Sequence, residues 1–311
     1  MVRVGDGLRH GGWAHVDPAV GRNLRLAWMG PAIGICLGLQ AGCAGIPSPS
    51  FAPAAHLRES SMTISLHGHP LDLHLAVPQG GIAAPALVLF ASGDGGWFGR
   101  AVDMFHLIGQ AGYPVVGISS RAFLRLEQTR GALDVAHLVA DYGVMVDGAC
   151  RALRLAPSTP VILSGWSRGA AFAVLVASDP EAGHPLAGVI AIGLGPGEDL
   201  QLDADDDDEG GGSTGRPGRL LLPYERMAAL GSLPCAVIQA THDGYLPAAR
   251  ARELFGSEGD DRRFYAVEAS NHRFSGGLPA MAAALADALR WIAARPSVGV
   301  AGDTRGPSGR W

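Results

Sequence analysis

Three features of this 311-residue chain predict an α/β domain built on a doubly wound, mostly parallel sheet. First, short and continuously apolar runs recur between helical patterns, as expected of strands covered by helices on both faces. Second, two alternating segments ahead of these runs read as an antiparallel hairpin at the sheet edge. Third, small-residue loops follow several apolar runs directly, where a sheet of this type carries its active groups. Composition agrees. With 48% hydrophobic residues the chain can bury one large domain. With a net charge of -5, nothing in the composition points to a nucleic-acid surface.

Residues 1–45 read as an export region: Arg22 and Arg25 precede a short apolar run over 26–39 that is too short and glycine-rich for a membrane span. Gln40-Ala41-Gly42-Cys43-Ala44-Gly45 resembles a bacterial lipobox with Cys43 as the acylated residue, although Gln40 stands where an aliphatic residue is usual. Lipid anchoring and simple cleavage both remain open. Pro47, Pro49 and Pro53 mark residues 46–60 as an extended tether. The folded domain is expected over 61–295. It opens with the hairpin, 62–67 and 71–77, turning at Gly68-His69-Pro70. His67, His69 and His74 have no cysteine or carboxylate cluster in the sequence beside them, and read as exposed hairpin histidines with no metal.

Buried strands are expected at 86–91, 113–118, 160–164, 186–194, 234–240 and 263–267, with helices at 100–112, 132–155 and 278–294. Residues 198–219 form an acidic, glycine-rich insertion whose charge run, 203–209, lacks the glycine and glutamate of a calcium loop. It is expected to be solvated, and to attract a cationic headgroup by long-range charge. Residues 296–311 read as a disordered tail. Cys150 and Cys235 fall in a helical and a strand pattern, and the absence of any C-x-x-C pair argues against zinc.

Chemistry concentrates on the loops. Gly165-Trp166-Ser167-Arg168-Gly169 follows a strand pattern and precedes a small-residue helix pattern. That is a nucleophile elbow: a strained turn lifts Ser167 above the sheet, and only glycine fits two residues either side of it. The helix start aims the Arg168 N–H at a developing oxyanion. Ser92-Gly93-Asp94-Gly95-Gly96-Trp97 sits where the second oxyanion donor belongs, supplied by Asp94 or Gly95; no Gly-Lys-Ser/Thr follows, as a phosphate loop would need. Asp243 follows the 234–240 strand and His272 follows the last strand. Serine, acid and histidine in this order match the α/β-hydrolase type, with Ser167 as nucleophile, His272 as general base and acid, and Asp243 orienting it. Trp97 and Trp166 are the expected substrate contacts. No metal or organic cofactor is implied.

Ser92-Gly93-Asp94-Gly95-Gly96-Trp97, Pro114-Val115-Val116-Gly117-Ile118-Ser119-Ser120, the elbow with Ala170, and Asn271-His272-Arg273-Phe274-Ser275-Gly276-Gly277 together resemble the bacterial VirJ/AcvB group of exported α/β-hydrolases, over about 85–295. The resemblance implies a periplasmic hydrolase of aminoacylated lipids such as lysyl-phosphatidylglycerol, with links to virulence and to secretion-system proteins. The elbow departs from that family's Gly-Tyr-Ser-Phe-Gly-Ala-Asp at Trp166, Arg168 and Ala171. The expected function is therefore an exported serine hydrolase acting on a lipid or small-molecule ester, with membrane association through Cys43. A generic esterase or lipase, a dienelactone-hydrolase-like enzyme, and a non-catalytic periplasmic adaptor stand as alternatives.

Overall fold

The alternation of side chains along each strand sorts the core into two layers. In β3 (Leu87–Ala91), Leu87, Leu89 and Ala91 pack on one face, and Val88 and Phe90 on the other. All five are buried, which is why the run is apolar throughout. The computed structural model describes residues 56–80, 85–128, 134–199 and 220–295. The export region, Cys43, the acidic run 203–209 and the 296–311 tail lie outside the described residues.

In chain order the elements are β1 (Leu57–Leu66), β2 (His69–Pro78), β3, α1 (Arg100–Gln110), β4 (Val115–Ile118), α2 (Ser120–Gln128), α3 (Val135–Leu153), β5 (Val161–Trp166), α4 (Arg168–Ala177), β6 (Leu186–Ile192), β7 (Glu198–Asp199), β8 (Leu220–Leu221), α5 (Pro223–Arg226), β9 (Cys235–Ala240), α6 (Ala248–Phe255), β10 (Arg262–Val267) and α7 (Leu278–Ala293). Eight strands form one sheet in the order β1-β2-β4-β3-β5-β6-β9-β10. The β1–β2 and β2–β4 pairs are antiparallel and the others parallel. The parallel strands β3, β5, β6, β9 and β10 therefore end along one rim of the sheet.

Helices α1 and α7 cover one face, through Met104, Phe105 and Ile108 and through Met281, Leu285 and Leu289. On the other face lie α2, α3 and α4, through Phe123, Tyr142 and Phe172. Asp134 caps α3 by accepting from the His137 N–H at 2.9 Å. Cys150 and Cys235 are buried and free, and burial pushes the Cys235 thiol up to about 12.

The structure differs from the sequence expectation in four places. β1 begins at Leu57, so the strand takes up the last residues assigned to the tether. α2, α5 and α6 were not anticipated; α2 is short and anchored by few apolar side chains, Phe123 and Leu124 among them. The insertion starts as β7, paired antiparallel with β8, and not as loop. Finally, His67 is not a free surface group: at the turn, with φ 52°, its Nε2 lies 2.5 Å from Oδ1 of the buried Asp141. His74 stacks on Trp97 with ring centroids 4.3 Å apart, and burial lowers its pKa.

Candidate active site

The Ser167 backbone has φ 58° and ψ -120°, a conformation that costs an ordinary residue energy and persists only where its surroundings impose it. The surroundings are two glycines at van der Waals limit. A Cβ on Gly165 would stand 2.2 Å from the Gly169 carbonyl carbon, and one on Gly169 would stand 2.1 Å from the Ala91 carbonyl oxygen. Those approaches bring the start of α4 against the end of β3, so the strand–turn–helix can be this tight only with glycine at both positions. Ser167 is further held by its N–H, which donates to the Ile192 carbonyl at 2.9 Å. Gly93 presses on the serine from the neighbouring loop, where an added Cβ would meet Ser167 Cβ at 3.2 Å.

Asp243 is almost fully buried and divides its two oxygens. Oδ1 accepts from the N–H groups of Tyr245 at 2.9 Å and Leu246 at 3.4 Å, which closes the turn after β9. Oδ2 lies 2.7 Å from His272 Nδ1. The same oxygen accepts from Gln239 Nε2 at 3.1 Å, and that amide also donates to the Leu246 carbonyl at 2.7 Å. Asp243 is thus both a turn residue and the histidine's partner. A carboxylate can only accept here, so His272 Nδ1 carries the proton and a neutral ring leaves Nε2 as an acceptor. His272 Nε2 is buried and without a hydrogen-bond partner. His242, next to the acid, is exposed and turns toward Glu268 at 3.4 Å.

The histidine loop is built as tightly as the elbow. Asn271 Oδ1 accepts from the N–H groups of Arg273 at 3.0 Å and Ser275 at 3.2 Å. Phe274 anchors the loop fully buried with φ 56°. A Cβ on Gly277 would collide with the Glu268 carbonyl at 2.3 Å. Trp166 stacks on the His272 ring at 5.4 Å and donates from Nε1 to its carbonyl at 3.3 Å. Gly193, at φ 60°, leaves room for the His272 ring, since a Cβ there would sit 2.9 Å from Cε1.

Ser167 and His272 line one cavity of about 210 Å³ together with Asp94, Gly95 and Trp166. The expected oxyanion loop therefore reaches the serine's cavity. Trp97 does not. Its ring is packed between His74, Phe90 and Phe105, over Gly117, where a Cβ would be 1.9 Å away. The expected substrate contact at Trp97 is replaced by a packing role, because the loop turns the side chain back onto β2 and β4. The exposed aromatic rings that do line the cavity are Phe98 and Tyr245.

Sequence reasoning also passed over Glu198. Arg168, the residue after Ser167, bridges Glu198 on β7 and Asp94 on the loop between β3 and α1, with Nε 2.9 Å from Asp94 Oδ1. Burial pushes the Glu198 carboxyl up to about 7; Arg168 pulls it down and Asp94 pushes it up, and burial wins. Gln239 was missed as well, although a lone polar residue inside an apolar strand is the kind of signal that could have found it. Among the described residues, the one group of possible metal ligands is His67, Glu127 and Asp141, whose ligand atoms lie within 4.8 Å of one another. It is not part of the cavity lining. Both of its carboxylates have further interactions of their own.

No protein-family model matches the sequence, and no curated protein matches it. Solved structures do share its fold. Est1E from Butyrivibrio proteoclasticus is 15% identical, with a TM-score of 0.54 over 76% of this chain and 99% of its own. A candidate dienelactone hydrolase from Klebsiella pneumoniae subsp. pneumoniae is 14% identical, with a TM-score of 0.55 over 77% of this chain and 100% of its own. The esterase domain of a Rhodothermus marinus protein is 20% identical, with a TM-score of 0.52 over 78% of this chain and 100% of its own. The chain has the α/β-hydrolase fold, with a mostly parallel sheet and an antiparallel hairpin at its N-terminal edge.

Proposed function

We propose that this protein is a serine hydrolase of carboxylic esters. The observation that carries the reading is the His272 ring, tied at Nδ1 to buried Asp243 while its buried Nε2 has no protein partner, in a cavity shared with a serine on a strained turn. In the proposed reaction Ser167 Oγ attacks the ester carbonyl and passes its proton to His272 Nε2. The carbonyl oxygen becomes an oxyanion, held by the Arg168 N–H and by Asp94 or Gly95. Collapse expels the alcohol, which takes the proton from His272. Water then repeats the sequence on the acyl-enzyme, releasing the acid and restoring Ser167.

The finer reading is an aminoacyl-phospholipid ester, with the protein exported to the periplasm and tethered through Cys43. It is supported by the resemblance of the 92–97 and 271–277 loops to the VirJ/AcvB group. A short-chain esterase is the second reading, favoured by a cavity of only about 210 Å³ and by the names of the esterase neighbours. Membrane lipid mass spectrometry with and without the gene separates the two. Lysyl-phosphatidylglycerol accumulating in the deletion strain supports the lipid substrate. An unchanged lipid profile, with purified protein hydrolysing short-chain esters, supports the second.

A further inference from the structure

The cavity beside Ser167 is lined by two arginines that the proposed triad does not use, Arg100 and Arg273. Arg273 follows the histidine on the loop closed by Asn271 and Phe274, so its base is fixed while its side chain is exposed. It has no charge partner among the described residues. Arg100 is the first residue of α1, with its side chain only 21% exposed. Its Nη1 is held by Asp103 at 2.8 Å, whereas its Nε is buried and without an acceptor. A buried guanidinium donor left unmatched is costly unless something else in the cavity accepts from it. The carboxylate in the lining, Asp94, is already engaged by Arg168 at 2.9 Å. Arg273 and Arg100 thus bring two guanidinium groups to the cavity wall, against one lining carboxylate, Asp94, which shares Arg168 with Glu198.

From this we infer that the ester cleaved at Ser167 carries an anionic group, a carboxylate or a phosphate, which Arg273 and Arg100 bind. The inference rests on the serine-hydrolase reading. Guanidinium groups suit such an anion because their N–H donors match its paired oxygens. Phe98 and Tyr245 would flank the uncharged part of the substrate. An aminoacyl-phospholipid satisfies the requirement only through its phosphodiester, so its ammonium groups would lie away from these arginines.

Two substrate pairs, each differing in one charged group, test this: monomethyl adipate against dimethyl adipate, and butyrylglycerol phosphate against monobutyrin. Wild type should prefer the charged member of at least one pair in kcat/KM, and the pair with the larger preference identifies carboxylate or phosphate. That preference should shrink as salt is added. Arg273→Gln should reduce the ratio by about tenfold or more. Arg273→Lys should keep part of it and Arg273→Glu should abolish it. Calorimetric binding of monomethyl adipate and of butyrylglycerol phosphate to Ser167→Ala reads the same subsite without turnover. Neutral esters cleaved with no preference for charge, or a preference unchanged in Arg273→Gln, would overturn the inference and leave the hydrolase reading standing. No ester cleaved by wild type, or equal cleavage by Ser167→Ala, would overturn both.

Discussion

Asp243 does two things with one carboxylate. Oδ1 closes its own turn through Tyr245 and Leu246, so Oδ2 is presented to His272 at a fixed angle. Gln239 holds the same oxygen from inside β9. In Asp243→Asn the fold should survive, because an amide oxygen still closes the turn. Its NH₂ group, facing Nδ1, would favour the wrong imidazole tautomer. The expected result is a fall in kcat on the order of 10⁴, with a moderate loss of melting temperature because the new NH₂ also faces the Gln239 Nε2 donor. Activity kept within about tenfold would contradict this role. Asp243 was legible in the sequence because it directly follows a buried strand. Gln239 was not, since one polar residue in an apolar run also occurs without any role, and only its contacts identify it.

Among the elements, the loop between β3 and α1 holds the least predictable side chain. It carries the Gly93, Asp94 and Gly95 stretch to Ser167, as its position after a central strand suggests. Yet Trp97, in the same motif, points back to the sheet and stacks on His74 of β2. That contact spans more than twenty residues of sequence and depends on Gly117 of β4 lacking a side chain, which no local pattern reveals. Trp97→Ala should therefore act on stability, lowering it by about 3 kcal/mol in urea unfolding. A raised KM with unchanged stability would restore the substrate role expected from the motif. The strands were legible from apolar runs and the hairpin from its alternation. α2 and α6 were not, because they are short and few of their side chains are buried.

At the scale of the whole molecule, Ser167, Asp243 and His272 come to the same end of the sheet because the strands β5, β9 and β10 run parallel and end on one rim. That placement was readable from sequence. The bracing of the rim was not: Arg168 reaches Glu198 across a stretch that reads as loop. The brace predicts a pH effect on stability. Glu198 moves from an ordinary 4.5 to about 7 on folding, so between these values the folded protein holds a proton that the unfolded chain has released. This group therefore favours the fold most at the acid end and progressively less as pH rises toward 7. Relative to Glu198→Gln, wild type should lose melting temperature between about pH 5 and pH 8. A difference between the two that stays constant across this window would show that Glu198 does not titrate there. The hydrolase reading presupposes that Ser167 is an activated nucleophile, which fluorophosphonate labelling followed by peptide mass spectrometry measures directly. Wild type should be labelled at Ser167, and Ser167→Ala should not be labelled. A wild-type protein that takes up no label, or one labelled equally in Ser167→Ala, would contradict the account.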